Sequence, residues 1–272
     1  MIDPQEQWAI QIDITNHCTR QCSNCTRFVG HHTSPFFMTT ECFTSAVLAL
    51  ADFPEQSPPT KLPVANKLVG LLGGEPLLHP QFETFCQIMR RVIPQKKYRG
   101  LWTGLHWQRT NHQKIIADTF GYINNNRHLG VVRHSPILRA IIDEVPDPEK
   151  RQQLIEDCWL QQKWSGTITP KGLFFCEVAG AFDLLFSGPG GLPVEPGCWR
   201  RPLSDFQDQI DRWCGRCGIP LNLEGRLDRE NLDDISPLNL RDLAFSPRIQ
   251  AGAYILGQGY KSVDPQPWRY LK

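Results

Sequence analysis

Residues 8–15, WAIQIDIT, alternate apolar and polar side chains, the period-two pattern of a strand. Residues 67–72, KLVGLL, form an almost unbroken apolar run of the kind a buried strand carries. Two further runs, YRGLWTG at 98–104 and HLGVVRHS at 128–135, also predict strands. Between them the period lengthens. Over 39–53, Cys42, Ala46, Leu50 and Phe53 recur at helical spacing. Over 80–93, Phe82, Phe85, Cys86, Met89, Val92 and Ile93 form one apolar stripe, and 111–123 predicts a helix in its first part. Strand alternating with helix is the pattern of βα units around a parallel sheet.

After residue 135 the pattern weakens. Residues 136–143 fit strand or helix alike. Asp147 followed by Pro148 opens a helix over 147–162. Two short runs around Pro170-Lys171-Gly172 predict a hairpin within 163–178. Many Gly and Pro residues follow, then a short helix that runs into Cys214-x2-Cys217. The change of pattern predicts a core domain over 1–160 and a second, cysteine-rich unit over 161–272.

Net charge bears on partners. With 29 Lys and Arg against 28 Asp and Glu, the chain has no basic footprint for nucleic acid or a membrane surface. No stretch reaches the roughly 18–20 apolar residues of a bilayer span, and MIDPQEQWAI lacks a basic-then-apolar signal segment. These features predict a cytoplasmic protein. Ten cysteines then change the picture. In a reducing compartment, clustered thiols point to metal or catalysis rather than disulfides. Seven fall into two groups, Cys18/Cys22/Cys25 and Cys176/Cys198/Cys214/Cys217.

The first group, C-x3-C-x2-C, follows the first predicted strand directly. Disulfides pair cysteines evenly and structural zinc closes with four ligands. Three thiolates on a four-iron cluster leave one iron open for a substrate or cofactor. A zinc knuckle completed by His17 or His31 is the other reading of that spacing. Gly73-Gly74-Glu75-Pro76 follows the second strand. Its glycines let a ligand approach the backbone closely, and Glu75 can hold a cation. Both motifs land at the carboxyl ends of strands, where parallel sheets place their chemistry.

In these two motifs, in this order, the chain resembles the radical S-adenosylmethionine (SAM) superfamily. The resemblance covers about residues 8–160 in organisation and implies an α/β fold, a partial (β/α)6-type barrel. It implies that Cys18, Cys22 and Cys25 hold a [4Fe–4S] cluster whose fourth iron binds SAM. Gly73, Gly74, Glu75 and Pro76 would then meet the SAM ammonium, with Glu75 as its charge-assisted partner. Thr103 and Ser135, at the ends of the third and fourth strands, would face the SAM ribose or the substrate, as would Trp102 and His134. In the family the position before the last cysteine is usually aromatic and packs on adenine. Here it is Asn24, with Phe28 as a possible substitute. The chemistry implied is reductive cleavage of SAM to a 5′-deoxyadenosyl radical that abstracts hydrogen from an unactivated C–H bond. A flavodoxin or ferredoxin would supply the electron.

The second group, Cys176-x21-Cys198-x15-Cys214-x2-Cys217, suits one zinc or one iron–sulfur site. The segment ITPKGLFFCEV resembles the SPASM extension in its shorter, twitch form. That implies an auxiliary [4Fe–4S] cluster with all four irons ligated by protein, and a dehydrogenase in which the cluster accepts an electron. Cys42 and Cys86 sit on apolar stripes and read as packing. Cys158 reads as packing, as a hydrogen-atom donor to a substrate radical, or as a replacement for Cys198. The function expected is an oxidoreductase acting on a small polar molecule such as a sugar, amino sugar or nucleoside derivative. An epimerase with a cysteine hydrogen donor, a peptide maturase and a zinc-binding structural protein are the alternatives.

Overall fold

Fully buried Ile10, Ile12 and Ile14 line one face of the first strand, β1 (Ala9–Asp13), and its continuation, while Gln11, Asp13 and Thr15 line the other. The sheet built around β1 thus has an apolar face and a polar face, both covered. In the computed structural model, which describes residues 1–60, 62, 64, 66–126 and 132–257, β1 lies near the middle. It pairs in parallel with β2 (Leu68–Leu72), which pairs with β3 (Arg99–Thr103), which pairs with β4 (Tyr122–Asn125). Strand β5 (Arg133–His134) lies apart from this sheet. On the other side of β1, β6 (Ser165–Thr169) pairs in parallel, and β7 (Gly172–Phe174) returns antiparallel to it. The result is a mostly parallel six-stranded sheet in an α/β fold, of order β4-β3-β2-β1-β6-β7.

Helices cover the apolar face. Helix α1 (Thr40–Ala49), capped by the Thr39 hydroxyl, is followed by a short α2 (Phe53–Gln56), and α3 (Phe82–Val92) follows β2. Phe43 of α1 and Phe85 of α3 stack with ring centroids 4.1 Å apart. Ala46, Leu50 and Phe53 of the predicted stripe are fully buried, joined by Phe43 and Val47, while Cys42 is half-buried at its margin. Helix α4 (Gln113–Thr119) joins β3 to β4.

The predicted fourth strand moves. Residues 128–131 of that prediction lie outside the described residues, and β5 instead pairs antiparallel with β8 (Arg226–Leu227). The strand beside β3 is Tyr122–Asn125, too short and too half-buried to show a period of its own. Its pairing with β3 makes it a strand. Residues 136–143 split into a bridge at Leu138, parallel to Ile235, and a short α5 (Ile141–Glu144). Then come α6 (Pro148–Glu156) and α7 (Trp159–Lys163). The Asp147 carboxylate caps α6 by accepting from Glu149 N and Lys150 N.

The hairpin from beyond residue 160 belongs to the main sheet, and α8 (Glu177–Leu185) covers the polar face behind it. Helix α9 (Gln207–Trp213) packs on α8. The chain closes with β9 (Asp233–Ile235), α10 (Pro237–Asp242), α11 (Pro247–Gln250) and β10 (Tyr254–Leu256), which pairs with β9. Among the described residues no helix is long and apolar enough to cross a membrane.

Candidate functional site

Three strand ends meet on one side of the sheet. The loop after β1 carries Cys18, Cys22 and Cys25, and it folds back so that Thr15 bridges Phe37. Its return is fixed by Thr15 Oγ1 donating to Phe36 O (2.7 Å) and Phe36 N donating to Asn16 Oδ1 (2.7 Å). The segment after β2 lies directly on that loop. Gly74 N donates to Thr15 O (2.6 Å) and Glu75 N donates to His17 O (2.7 Å). A Cβ on Gly73 would stand 2.2 Å from Thr15 O, and one on Gly74 2.4 Å from His17 O. The close approach these glycines allow is therefore taken up by the cysteine loop.

Glu75 is 2% exposed. Its carboxylate accepts from Thr103 Oγ1 (2.7 Å), Gly104 N (2.9 Å) and Leu77 N (3.2 Å). Burial raises its pKa, and these donors, with Arg20, oppose the rise. Glu75 and Cys18 lie within electrostatic reach of each other. The thiols also feel one another. Burial, the neighbouring Cys25 and Glu75 push Cys18 up to about 11 against the Arg20 amide, which donates to its sulfur (3.4 Å). Burial, Cys25, Asp228 and Cys18 push Cys22 up to about 12. Arg20 lowers both and donates to Gly104 O (3.4 Å), so it spans the loop and the end of β3. A cavity of about 190 Å³ opens beside Cys18, lined among others by His17, Arg20, Gln21, Gly30 and His32. That is less than the roughly 300–1,000 Å³ of most small-molecule pockets, enough for part of such a ligand. Burial and the adjacent His31 hold His32 down to about 4.

The other expected contacts fall variously. Pro76 is buried at the start of a short turn after Glu75, and Thr103 serves Glu75. Ser135 follows His134, whose Nδ1 lies 2.8 Å from Ser23 O, on the outer side of the cysteine loop. Asn24 is 1% exposed with φ +48°, a left-handed conformation that asparagine tolerates well. Its amide donates to Asp234 Oδ2 (2.9 Å) and accepts from Asp234 N (2.9 Å). Phe28 stacks on Phe182 at 5.0 Å, in the core. Trp102 fills the space over Gly70 and Gly100, edge-on to Trp8 at 6.0 Å. These two rings are packing residues.

A set of residues that the sequence did not point to holds the loop from outside. Asp233 of β9 accepts from Asn24 N and His31 Nε2 (2.9 Å) and pairs with Arg248. Arg248 donates onward to Gln21 O (3.1 Å) and Cys22 O (3.5 Å), and Ser246 Oγ lies 2.8 Å from His31 Nδ1. Arg226 grips Asp234 (2.7 Å). All lie more than 200 positions from the loop they hold, so no local pattern could reveal them.

The second group also rearranges. Cys158, Cys176, Cys214 and Cys217 line one small cavity of about 30 Å³, and Cys198 is not among its lining residues. Cys198 sits in a turn beside α1 and α2, where Gly197 N donates to Ala49 O (3.3 Å) and Trp199 Nε1 to Asp52 Oδ1 (3.0 Å). Between the two thiol groups stands a buried ion triad. Arg27 pairs with Asp13 (3.2 Å) and Glu177 (3.3 Å). Among the described residues no three His, Cys, Asp or Glu side chains are placed to hold a single metal ion. A four-iron cubane spreads its thiolates wider than an ion bound at about 2.3 Å does.

No protein-family model matches the chain, and no curated protein matches it. A solved structure, BtrN in complex with AdoMet and 2-DOIA, is similar over 79% of this chain and 88% of that one. The identity is 12% and the TM-score 0.40, a distant likeness that carries no argument about chemistry.

Proposed function

We propose that the chain is a radical SAM enzyme and, more finely, an oxidoreductase acting on a small polar molecule. One observation carries the reading. Three mutually interacting thiols at the end of β1 stand beside a buried carboxylate at the end of β2, with Thr103 at the end of β3 orienting that carboxylate. The donor set fits a cluster with one open iron. Three thiolates gathered in one loop repel one another unless a strong positive centre compensates them, so metal uptake releases their protons. When bound, the cluster and SAM supply a 5′-deoxyadenosyl radical that removes hydrogen from the substrate.

In this reading Cys18, Cys22 and Cys25 ligate the cluster, and Glu75 receives the SAM ammonium through lone pairs its present donors leave free. Gly73, Gly74 and Pro76 set the Glu75 backbone against the loop. Arg20 supplies local positive charge, and Ser135 borders the loop from the far side. The oxidoreductase assignment rests on the second thiol group, a site for an auxiliary [4Fe–4S] cluster. A flavodoxin or ferredoxin is the electron donor this chemistry needs.

The test is anaerobic turnover of reconstituted protein with SAM and a strong reductant. The expected result is methionine and 5′-deoxyadenosine from the intact protein and neither from Cys22→Ala. Protein carrying iron and sulfide that never cleaves SAM would overturn the assignment, as would two zincs and no sulfide per chain.

A further inference from the structure

Four thiols from three separate stretches of chain meet around the second cavity. Cys158 ends the link between α6 and α7. Cys176 precedes α8 at the end of the hairpin. Cys214 and Cys217 form the turn after α9. The remaining wall is apolar, with Phe175, Val178, Phe182, Trp213 and Ile219 prominent. A single buried thiol packs as a small hydrophobe, but four around one cavity also make a complete ligand set for an iron–sulfur cluster.

Backbone amides aim at the sulfurs. Those of Leu160 and Gln161 face Cys158, those of Val178 and Ala179 face Cys176, and Ile219 N lies 3.4 Å from the Cys217 sulfur. N–H donors directed at sulfur stabilise it when it carries negative charge, and such bonds are one of the levers that tune iron–sulfur sites. Burial opposes that charge and so do the neighbouring thiols. Cys158 lines the same cavity as each of the other three. The groups acting on Cys198 are burial, Arg201 and Glu195, on the α1–α2 side of the molecule.

We propose that Cys158, Cys176, Cys214 and Cys217 are the four ligands of a second [4Fe–4S] cluster, and that Cys198, which chain spacing would have chosen, is a packing thiol outside it. The inference rests on the functional reading above and names the ligands of its auxiliary site. Four iron–sulfur bonds form as four thiol protons leave. No iron is left open, so the site holds an electron rather than a substrate. Cys158 is then committed to metal and is not a hydrogen-atom donor.

The experiment starts from a variant with Cys18, Cys22 and Cys25 all changed to alanine, purified and reconstituted without oxygen. Iron and acid-labile sulfide should be about four each per chain, the content of one cubane, with a reduced-cluster EPR signal. Adding Cys198→Ala should leave both values and the signal unchanged. Adding Cys158→Ser should lower iron by at least one per chain and change the signal. A second measurement does not depend on that variant folding. Alkylation mapped by mass spectrometry should show Cys158 protected in the loaded protein and reactive after iron is stripped, with Cys198 labelled equally in both. Loss of the cluster in Cys198→Ala with retention in Cys158→Ser, or loading-dependent protection of Cys198 instead of Cys158, overturns the ligand set. If Cys158-dependent iron is present but the intact protein never cleaves SAM, the functional reading fails while the ligand set stands.

Discussion

Replacing Asp233 by asparagine removes an anion that ties His31 and Arg248 to the cysteine loop. In the native protein its carboxylate accepts from Asn24 N and His31 Nε2 and pairs with the Arg248 guanidinium. Both members of the ion pair are almost fully buried, at 2% and 5% exposure. Asparagine keeps the shape and one acceptor oxygen, so the main loss is the charge opposite Arg248. Breaking a buried pair from one side costs about 3 kcal/mol or more, because the remaining charge stays desolvated and unmatched. At 2–4 °C per kcal/mol for chains near this size, the midpoint of thermal unfolding should fall by roughly 6–12 °C.

The double variant Asp233→Asn/Arg248→Met removes the orphaned charge as well and should recover most of that loss. Circular dichroism melts of the iron-free protein read the effect without involving activity. A second readout follows from position. Arg248 also donates to Gln21 O and Cys22 O, so a freed loop should take up iron more slowly at Cys18, Cys22 and Cys25. A shift below about 1 °C, or a double variant no more stable than the single one, would refute the argument that this ion pair clamps the loop.

Two more outcomes follow from buried carboxylates. Burial outweighs the attraction of Arg27 and pushes the Asp13 pKa up from 3.8 to about 6. The folded state therefore binds this proton more tightly than the unfolded chain does. Its contribution to stability is complete below about pH 4 and is lost as pH rises through about 6. Asp13→Asn should flatten that part of the profile in urea titrations between pH 4 and pH 7, and an unchanged slope would count against it. Glu75→Gln keeps an acceptor for Thr103 but removes the charge proposed to receive the SAM ammonium. Hydrogen bonds to charged groups contribute about 1.5–3 kcal/mol, so SAM binding by calorimetry should weaken roughly 10–100-fold at unchanged iron content. Unaltered affinity would remove Glu75 from the binding role.

Local periodicity was enough where burial is local. The apolar alternation of β1, the stripe of α3, the Asp147-Pro148 cap of α6 and the Pro170-Lys171 turn each write their geometry into adjacent residues. Tyr122–Asn125 does not, because two apolar residues carry no period and only the β3 edge makes them a strand. The cysteine loop divides in the same way. Its three thiols and the Gly-Gly-Glu-Pro turn are legible as motifs. The job of Asn24 is not, since its conformation and its bonds to Asp234 depend on a strand 209 positions later. The second thiol group failed for a related reason. Spacing selects Cys198, while the packing of α6, α7 and α9 around α8 brings Cys158 to the cavity.

The Arg27 triad gives a physical reason for the two thiol groups to share one core. Arg27 lies two positions after Cys25, and its partner Glu177 directly follows Cys176. The guanidinium is pushed above its ordinary pKa by Asp13, Glu177 and the thiols of both Cys25 and Cys176, so it stays charged despite complete burial. One fixed cation therefore stabilises negative sulfur on either side of it. At the low effective dielectric of an interior, such a charge is felt across separations at which water would screen it. Of its two carboxylates, Glu177 is the better anchored, since Ser165 Oγ donates to it (3.0 Å). Among the described residues no hydroxyl donates to Asp13, and it is the member whose proton affinity rises. Protonating Asp13 would release part of Arg27's field toward Cys25 and Cys176 while leaving the bridge to Glu177 in place. Arg27 thus lies within electrostatic reach of both thiol groups, and the hairpin that extends the sheet beside β1 is what puts Glu177 within its reach.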